Sequence, residues 1–281
     1  MKILIIGVNS FIGSSLRNFY KKKNYKIQST QAFFHSTKDR WIKDTIRKII
    51  KGKPDIIFYC SAEQTIKDDQ TNIKKILFTN CEVPCLIAYN ILKYKILKSK
   101  FIFFGTSWEN DYTGKYFPVN LYAASKKAAE NLLTHYALKG VNIINFKLFD
   151  TYGENDRRKK FLNILVKSIL ANQKLKITKG EQEINLTHAL DICQGLHLGI
   201  EQSKNWIFKK KGILKFYLGQ NKVIKIKRLV KIIEKSLNKK SKIIFGGLKY
   251  RDREPMKTYK LFKKPKGWKI KNSLNKYLKK I

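Results

Sequence analysis

Along the first half of the chain, short uninterrupted apolar runs alternate with longer stretches whose apolar positions recur every three or four residues. The runs at 2–7 (KILIIG), 25–30 (YKIQST), 55–60 (DIIFYC), 101–104 (FIFF) and 141–149 (VNIINFKLF) read as strands. The intervening segments 14–22, 80–97 and a stretch opened by Leu121 read as helices. Runs that are apolar at consecutive positions belong to strands covered on both faces. Strand and helix in turn therefore predict an α/β protein: a Rossmann-type, doubly wound parallel sheet with ligands at the carboxyl ends of its strands. Beyond Asp150 the texture changes. A polar turn at 151–158 leads to a helix at 161–171, a strand at 175–178, a helix at 188–201, a strand at 215–218, a basic helix at 224–237 and a strand at 243–245. These shorter elements predict a small C-terminal α/β lobe. The expected division is a cofactor domain at 1–153 with part of 185–220, and a substrate lobe over most of 154–281.

The first strand runs into Gly7-Val-Asn-Ser-Phe-Ile-Gly13 and then a helix. This order is the phosphate-binding start of a dinucleotide site: Gly7 permits the tight turn, Gly13 lets helix and strand pack closely, and the helix N-terminus faces the pyrophosphate. Gly7, Ser10, Phe11, Ile12 and Gly13 form that turn. Ser10 stands where the ideal pattern has Gly, so its side chain either crowds the approach or offers its hydroxyl to a phosphate. An NAD-preferring site usually ends the second strand with Asp or Glu. Here the end is Gln28, Ser29 and Thr30, with Lys38 and Arg40 close behind, which favours NADP over NAD. Ser61 and Ala62 after the third strand, Asn80 at the start of a helix and Phe149 after the fifth strand complete the expected cofactor contacts.

The fourth strand ends in Thr106 and Ser107, and Tyr122 and Lys126 lie four residues apart on the following helix, hence on one face. A phenol titrates near pH 10, and a nearby ammonium favours its ionised form, which would bring proton transfer toward neutrality. The spacing alone is weak evidence. With 14 Tyr and 52 Lys, chance supplies about 2.6 such pairs, and Tyr89/Lys93, Tyr94/Lys98 and Tyr259/Lys263 share it. Only Tyr122 follows a strand ending in Ser or Thr, and only it opens a helix with a small-residue face (Ala123, Ala124, Ser125, Ala128, Ala129).

The glycine turn, FFGTSW, LYAASK, FDTYGENDR, THALDI and YRDREPM occur in order along nearly the whole chain. Together they resemble the extended short-chain dehydrogenases/reductases, specifically the NAD-dependent epimerase/dehydratase family. Within it they are most similar to the sugar 4-reductase branch of CDP-abequose synthase-like enzymes. The resemblance implies a cytoplasmic nucleotide-sugar oxidoreductase that reduces a C4 keto group of a nucleoside-diphosphate deoxyhexose for surface polysaccharide such as lipopolysaccharide. A 4-epimerase with retained NAD is the alternative. It also implies a catalytic Ser107 (Thr106 the neighbouring candidate), Tyr122 and Lys126, and a diphosphate-binding Arg251. Trp108, Asp150 and Arg157 join Arg251 as the expected substrate contacts. Four of the eight arginines fall in the loops at 151–158 and 247–256, and Arg presents phosphate with a planar fork.

Composition changes this picture little. The net charge is +40, yet Lys is scattered through every segment rather than gathered in a basic arm. Nucleic acid is therefore not expected as a partner, although a Rossmann-fold regulator or nucleic-acid binder is the non-enzymatic rival. Cys60, Cys81, Cys85 and Cys193, with His35, His135, His188 and His197, lack metal-ligand spacing, so no metal is expected and a reducing compartment is. No apolar stretch is long enough for a membrane span or, at the N-terminus, for a signal peptide. A homodimer is left open.

Overall fold

A computed structural model describes residues 1–30, 38–65, 69–259 and 263–281. His35 and the Lys38 side chain lie outside the described residues. The elements, in order, begin β1 (Lys2–Ile6), α1 (Phe11–Lys21), β2 (Lys26–Thr30), α2 (Lys38–Gly52) and β3 (Ile56–Tyr59). There follow α3 (Gln70–Leu77), a π-helical turn (Phe78–Glu82), α4 (Val83–Lys93), β4 (Lys100–Thr106), a 3₁₀ turn (Ser107–Glu109), α5 (Leu121–Leu138) and β5 (Asn142–Leu148). The second half runs β6 (Asp150–Tyr152), α6 (Phe161–Leu170), β7 (Lys174–Lys176), β8 (Glu183–Ile184), β9 (Leu186–His188), α7 (Ala189–Gln202), α8 (Phe208–Lys211) and β10 (Leu214–Leu218). It closes with β11 (Ile224–Lys225), α9 (Ile226–Leu237), β12 (Lys242–Ile244) and α10 (Leu274–Leu278).

Six parallel strands form one sheet in the order β10-β5-β4-β3-β1-β2. The chain leaves β1 toward one edge and returns at β3 toward the other, so a crevice opens at their carboxyl ends. Alternate residues of each strand feed opposite cores. Ile3, Ile5, Phe58 and Phe104 pack with Leu16 of α1 and Leu196 of α7; Leu4, Ile6, Tyr59 and Phe103 pack with Ile87 of α4 and Leu133 of α5. Each such side chain contributes about 1.5–3 kcal/mol of burial, which makes this sheet the rigid base for everything at its rim. A third cluster joins Tyr152, Leu165, Leu186, Leu229, Ile233 and Leu278 under the second half of the chain. β10 returns to the main sheet beside β5, and α7 packs on α1. Among the described residues no helix is long and apolar enough to cross a membrane.

In the first half of the chain two helices depart from the sequence expectation. The helix expected at 80–97 begins ten residues earlier, at Gln70, because Asp69 caps it by accepting from the Asn72 amide (2.9 Å); the π turn then re-aims the chain into α4. α2 was not anticipated at all. Its lysines hide a buried stripe of Trp41, Thr45 and Ile49 at helical spacing.

Candidate active site

The chain turns tightly after β1, with Gly7 at φ +82°, where a side chain would be strained. A Cβ on Gly7 would lie 2.5 Å from Ser61 Oγ, and one on Gly13 would overlap the Gly7 carbonyl. Ser61 Oγ, at the carboxyl end of β3, is buried with no hydrogen-bond partner among the described residues. An orphaned hydroxyl beside a side-chain-free turn, at the N-terminus of α1, fits the phosphates of a dinucleotide. Ser10 caps α1: its hydroxyl donates to Gly7 O (2.8 Å) and accepts from Gly13 N (3.1 Å).

A cleft of about 930 Å³ extends from this turn across the rim of the sheet. Ile12, Ser61, Ala62, Thr106, Ser107, Trp108, Tyr122, Lys126, Phe149, Asp150 and Arg251 all line it. The expected residues from four separate strand ends are thus brought together. Phe11 sits beside it, its ring covered by the Arg158 guanidinium at 4.2 Å. Four expected residues are placed otherwise. Asn80 is buried beneath the floor, where its side chain accepts from Glu63 N and donates to Glu63 O and Ser125 Oγ, each at 3.0 Å. Arg157 is exposed outside the cleft, and its neighbour Arg158 enters instead. Thr30 closes β2 with Oγ1 accepting from the Trp41 indole (3.1 Å), while Arg40 is exposed on α2.

Tyr122 stands at the first turn of α5, which Asn120 caps by accepting from Ala123 N (3.0 Å). Gln64 and Thr106 lie beside its side chain and both favour its ionised form; Ser107 lies one residue beyond in the 3₁₀ turn. Lys126 is fully buried, its ammonium 4.8 Å from the Phe103 ring centroid and 6.0 Å from that of Tyr122. The electrostatics reverse one expectation. Burial first, and then the nearby Glu109 carboxylate, push the Tyr122 phenol up, and Lys126 is not the group that opposes them: Gln64, Arg158 and Thr106 are. Burial meanwhile pushes Lys126 down to about 8. The cofactor-free site therefore holds a protonated phenol beside an ammonium that gives up its proton readily.

Sequence reasoning missed Gln64 and Lys160, and singled out Arg157 where Arg158 lines the cleft. Arg158 pairs with Asp156 (2.7 Å) and reaches Thr151 O (2.9 Å). Burial raises the Asp150 carboxyl against the pull of Lys160, Arg158 and Arg251, and burial lowers Lys160. Arg251 chelates Glu254 (2.8 Å) and lies over the Trp108 ring at 5.2 Å. Clustering of Arg in the 151–158 turn was the available signal, but the face each one takes depends on the turn's path.

A parallel sheet with its glycine turn at the β1/β3 crevice and a Tyr/Lys pair beside a Thr-Ser turn defines a dinucleotide-dependent oxidoreductase or epimerase of the short-chain type. The chain belongs to the NAD-dependent epimerase/dehydratase family, whose profile matches residues 3–208, and is an NAD-dependent enzyme of that family. It is 25% identical over 268 residues to CDP-abequose synthase of Yersinia pseudotuberculosis, covering 91% of each chain. In fold it is similar to UDP-glucose 4-epimerase of Thermotoga maritima with UDP-glucose (TM-score 0.82, 18% identity, 99% of this chain and 96% of the other). It is similar likewise to UDP-glucose 4-epimerase of Thermus thermophilus in complex with NAD (TM-score 0.78, 13% identity, 99% and 97%).

Proposed function

We propose that this enzyme reduces the C4 keto group of a nucleoside-diphosphate deoxyhexose with a nicotinamide cofactor, NADPH in preference to NADH. The observation that carries this reading is the gathering of Tyr122, Lys126, Thr106 and Ser107 in one cleft that also reaches Ile12 of the glycine turn. The bound cofactor supplies the hydride to C4. Tyr122 gives its proton to the C4 oxygen as negative charge develops there, and the hydroxyls of Thr106 and Ser107 orient that oxygen. Lys126 balances the resulting phenolate and anchors the nicotinamide ribose. Transfer of this kind contributes roughly 10² to 10⁴ in rate. Reduction needs the phenol to begin as the donor, and burial, which raises it, favours that form.

Residues 1–153 with part of 185–220 hold the cofactor in this reading, and most of 154–281 holds the sugar nucleotide. Arg158, Lys160 and Arg251 offer cations to its diphosphate, with Trp108 and Asp150 beside the sugar. The preference for NADPH rests on the neutral end of β2, with Arg40 nearby. The likeness over 91% of the chain to CDP-abequose synthase supports the choice of a sugar nucleotide.

The test is incubation with NADPH and a panel of nucleoside-diphosphate 4-keto sugars, following nicotinamide absorbance. Stoichiometric loss with a 4-keto substrate is expected. Interconversion of two 4-hydroxy sugars with no net cofactor consumption would replace reduction by 4-epimerisation.

A further inference from the structure

Behind the cleft, out of reach of any ligand in it, lies a row of buried charges. Glu109, Lys147 and Glu130 are all nearly sealed from solvent, at side-chain exposures of 0%, 4% and 1%. Glu109 ends the 3₁₀ turn after β4, Lys147 stands near the end of β5, and Glu130 is on α5 two turns beyond Tyr122. Lys147 Nζ is 2.8 Å from Glu109 Oε2 and 3.7 Å from Glu130 Oε2. It therefore ties the turn bearing Thr106 and Ser107 to the helix bearing Tyr122. Glu109 Oε1 accepts from the Thr106 amide at 2.7 Å, while Thr106 Oγ1 accepts from Trp108 N at 3.3 Å, a reciprocal cap that sets the turn's shape. Asn145 of β5 extends the row, donating to Glu130 Oε2 at 2.5 Å and accepting from Gly105 N at 2.9 Å.

Buried charges of this kind are costly, and a row of them is weak evidence for stability as such. Its placement is informative instead. Each end grips one of the two elements whose hydroxyls must meet at a single substrate oxygen.

We propose that Glu109 is a positioning residue for the reaction: its carboxylate, clamped by Lys147, holds the 106–108 turn in register with Tyr122 from outside the cleft.

This inference rests on the role proposed above for Tyr122. The charged and titratable groups facing Glu109 are Lys147 on β5, Glu130, Tyr122 and Lys126 on α5, Tyr217 on β10 and Tyr259 in the C-terminal segment. Lys127 and Lys215 close the row at its outer end, at 2.7 and 2.9 Å from Glu130 Oε1. Burial pushes the Glu109 carboxyl up, and Lys147 with the Thr106 amide pull it back. As an anion it raises both Tyr122 and Lys126. Removing its charge lowers both.

Two variants separate the hydrogen bond from the charge. Glu109→Ala removes both; kcat should fall on the order of 10²-fold with the KM for cofactor unchanged, since a misplacement of about 1 Å has that effect. Glu109→Gln keeps an acceptor for the Thr106 amide but turns its Nε2 donor toward the Lys147 ammonium; it should retain more of kcat than Glu109→Ala and move the alkaline limb of the kcat profile to lower pH. Wild-type kcat in Glu109→Ala, or an unmoved limb in Glu109→Gln, overturns the proposal. Should Glu109→Ala lack a cooperative thermal transition, Glu109→Gln alone decides. If the wild-type enzyme turns over no sugar nucleotide, the proposed function falls, and crystal structures of the two variants decide this inference separately. A 106–108 turn displaced in Glu109→Ala and kept in Glu109→Gln supports it; an undisplaced turn in Glu109→Ala ends it.

Discussion

At the scale of single residues, the chemistry concentrates in Tyr122 and Lys126. Tyr122→Phe should lower turnover by roughly 10² to 10⁴ while leaving NAD(P)H binding, followed by nicotinamide fluorescence, near normal. Lys126 yields a pH prediction. Its folded-state value, about 8, lies below the ordinary value of 10.5, so between the two the unfolded chain binds more protons and stability rises with pH. Below about 8 the enzyme carries a buried cation at a cost to stability. Lys126→Met should therefore melt above the cofactor-free wild type at pH 7, with the margin shrinking as pH rises through 8, although its activity is lost. A margin independent of pH would remove the buried ammonium as the cause. The neighbours of these residues explain why the sequence misjudged their charge balance. A four-residue spacing puts Lys126 on the face of Tyr122, but burial and then Glu109, which raise the phenol, are set by how β4, β5 and α5 pack.

At the scale of elements, strands and helices were legible wherever burial on both faces or one face left an unbroken apolar pattern. β1, β3, β4 and β5 are of this kind, because each is apolar at consecutive positions and feeds both cores. α2 and α3 were not, since in a chain this rich in lysine the polar faces outnumber the few apolar positions that anchor them. Asn80, in the π turn that follows α3, holds the loop after β3 against α5. Asn80→Ala leaves the Glu63 amide and carbonyl without their partner and removes a donor from the Ser125 hydroxyl. It should cost about 1–3 kcal/mol in a denaturant titration and weaken cofactor affinity through the loosened Ser61 loop.

At the scale of the whole molecule, the C-terminal segment laces the second half of the chain back onto the sheet. Asp191, at the start of α7, accepts from Lys271 N (3.2 Å), Asn272 N (3.0 Å) and Asn272 Nδ2 (2.8 Å), and its carbonyl accepts from Trp268 Nε1 (2.7 Å). Asp191→Ala should destabilise the protein by about 3 kcal/mol, read as a lower urea midpoint, because charged acceptors contribute more than neutral ones. The charge of +40 acts at this scale too. It should draw an anionic substrate to the cleft, so kcat/KM falls as ionic strength rises while kcat holds. Retention on a polyanion that survives moderate salt would instead favour nucleic-acid binding.

The sequence by itself determined the layered α/β architecture, the glycine turn and the Thr-Ser/Tyr/Lys set, because each is written in local periodicity or in fixed short spacing. Only the tertiary structure decided which of two adjacent arginines enters the cleft, that Ser10 caps a helix, and that Thr106 meets Tyr122. It alone decided that Glu109, Lys147 and Glu130 meet behind them. Those outcomes depend on contacts between residues far apart in the chain, and on the loss of water around charges, neither of which a pattern along one strand or helix encodes.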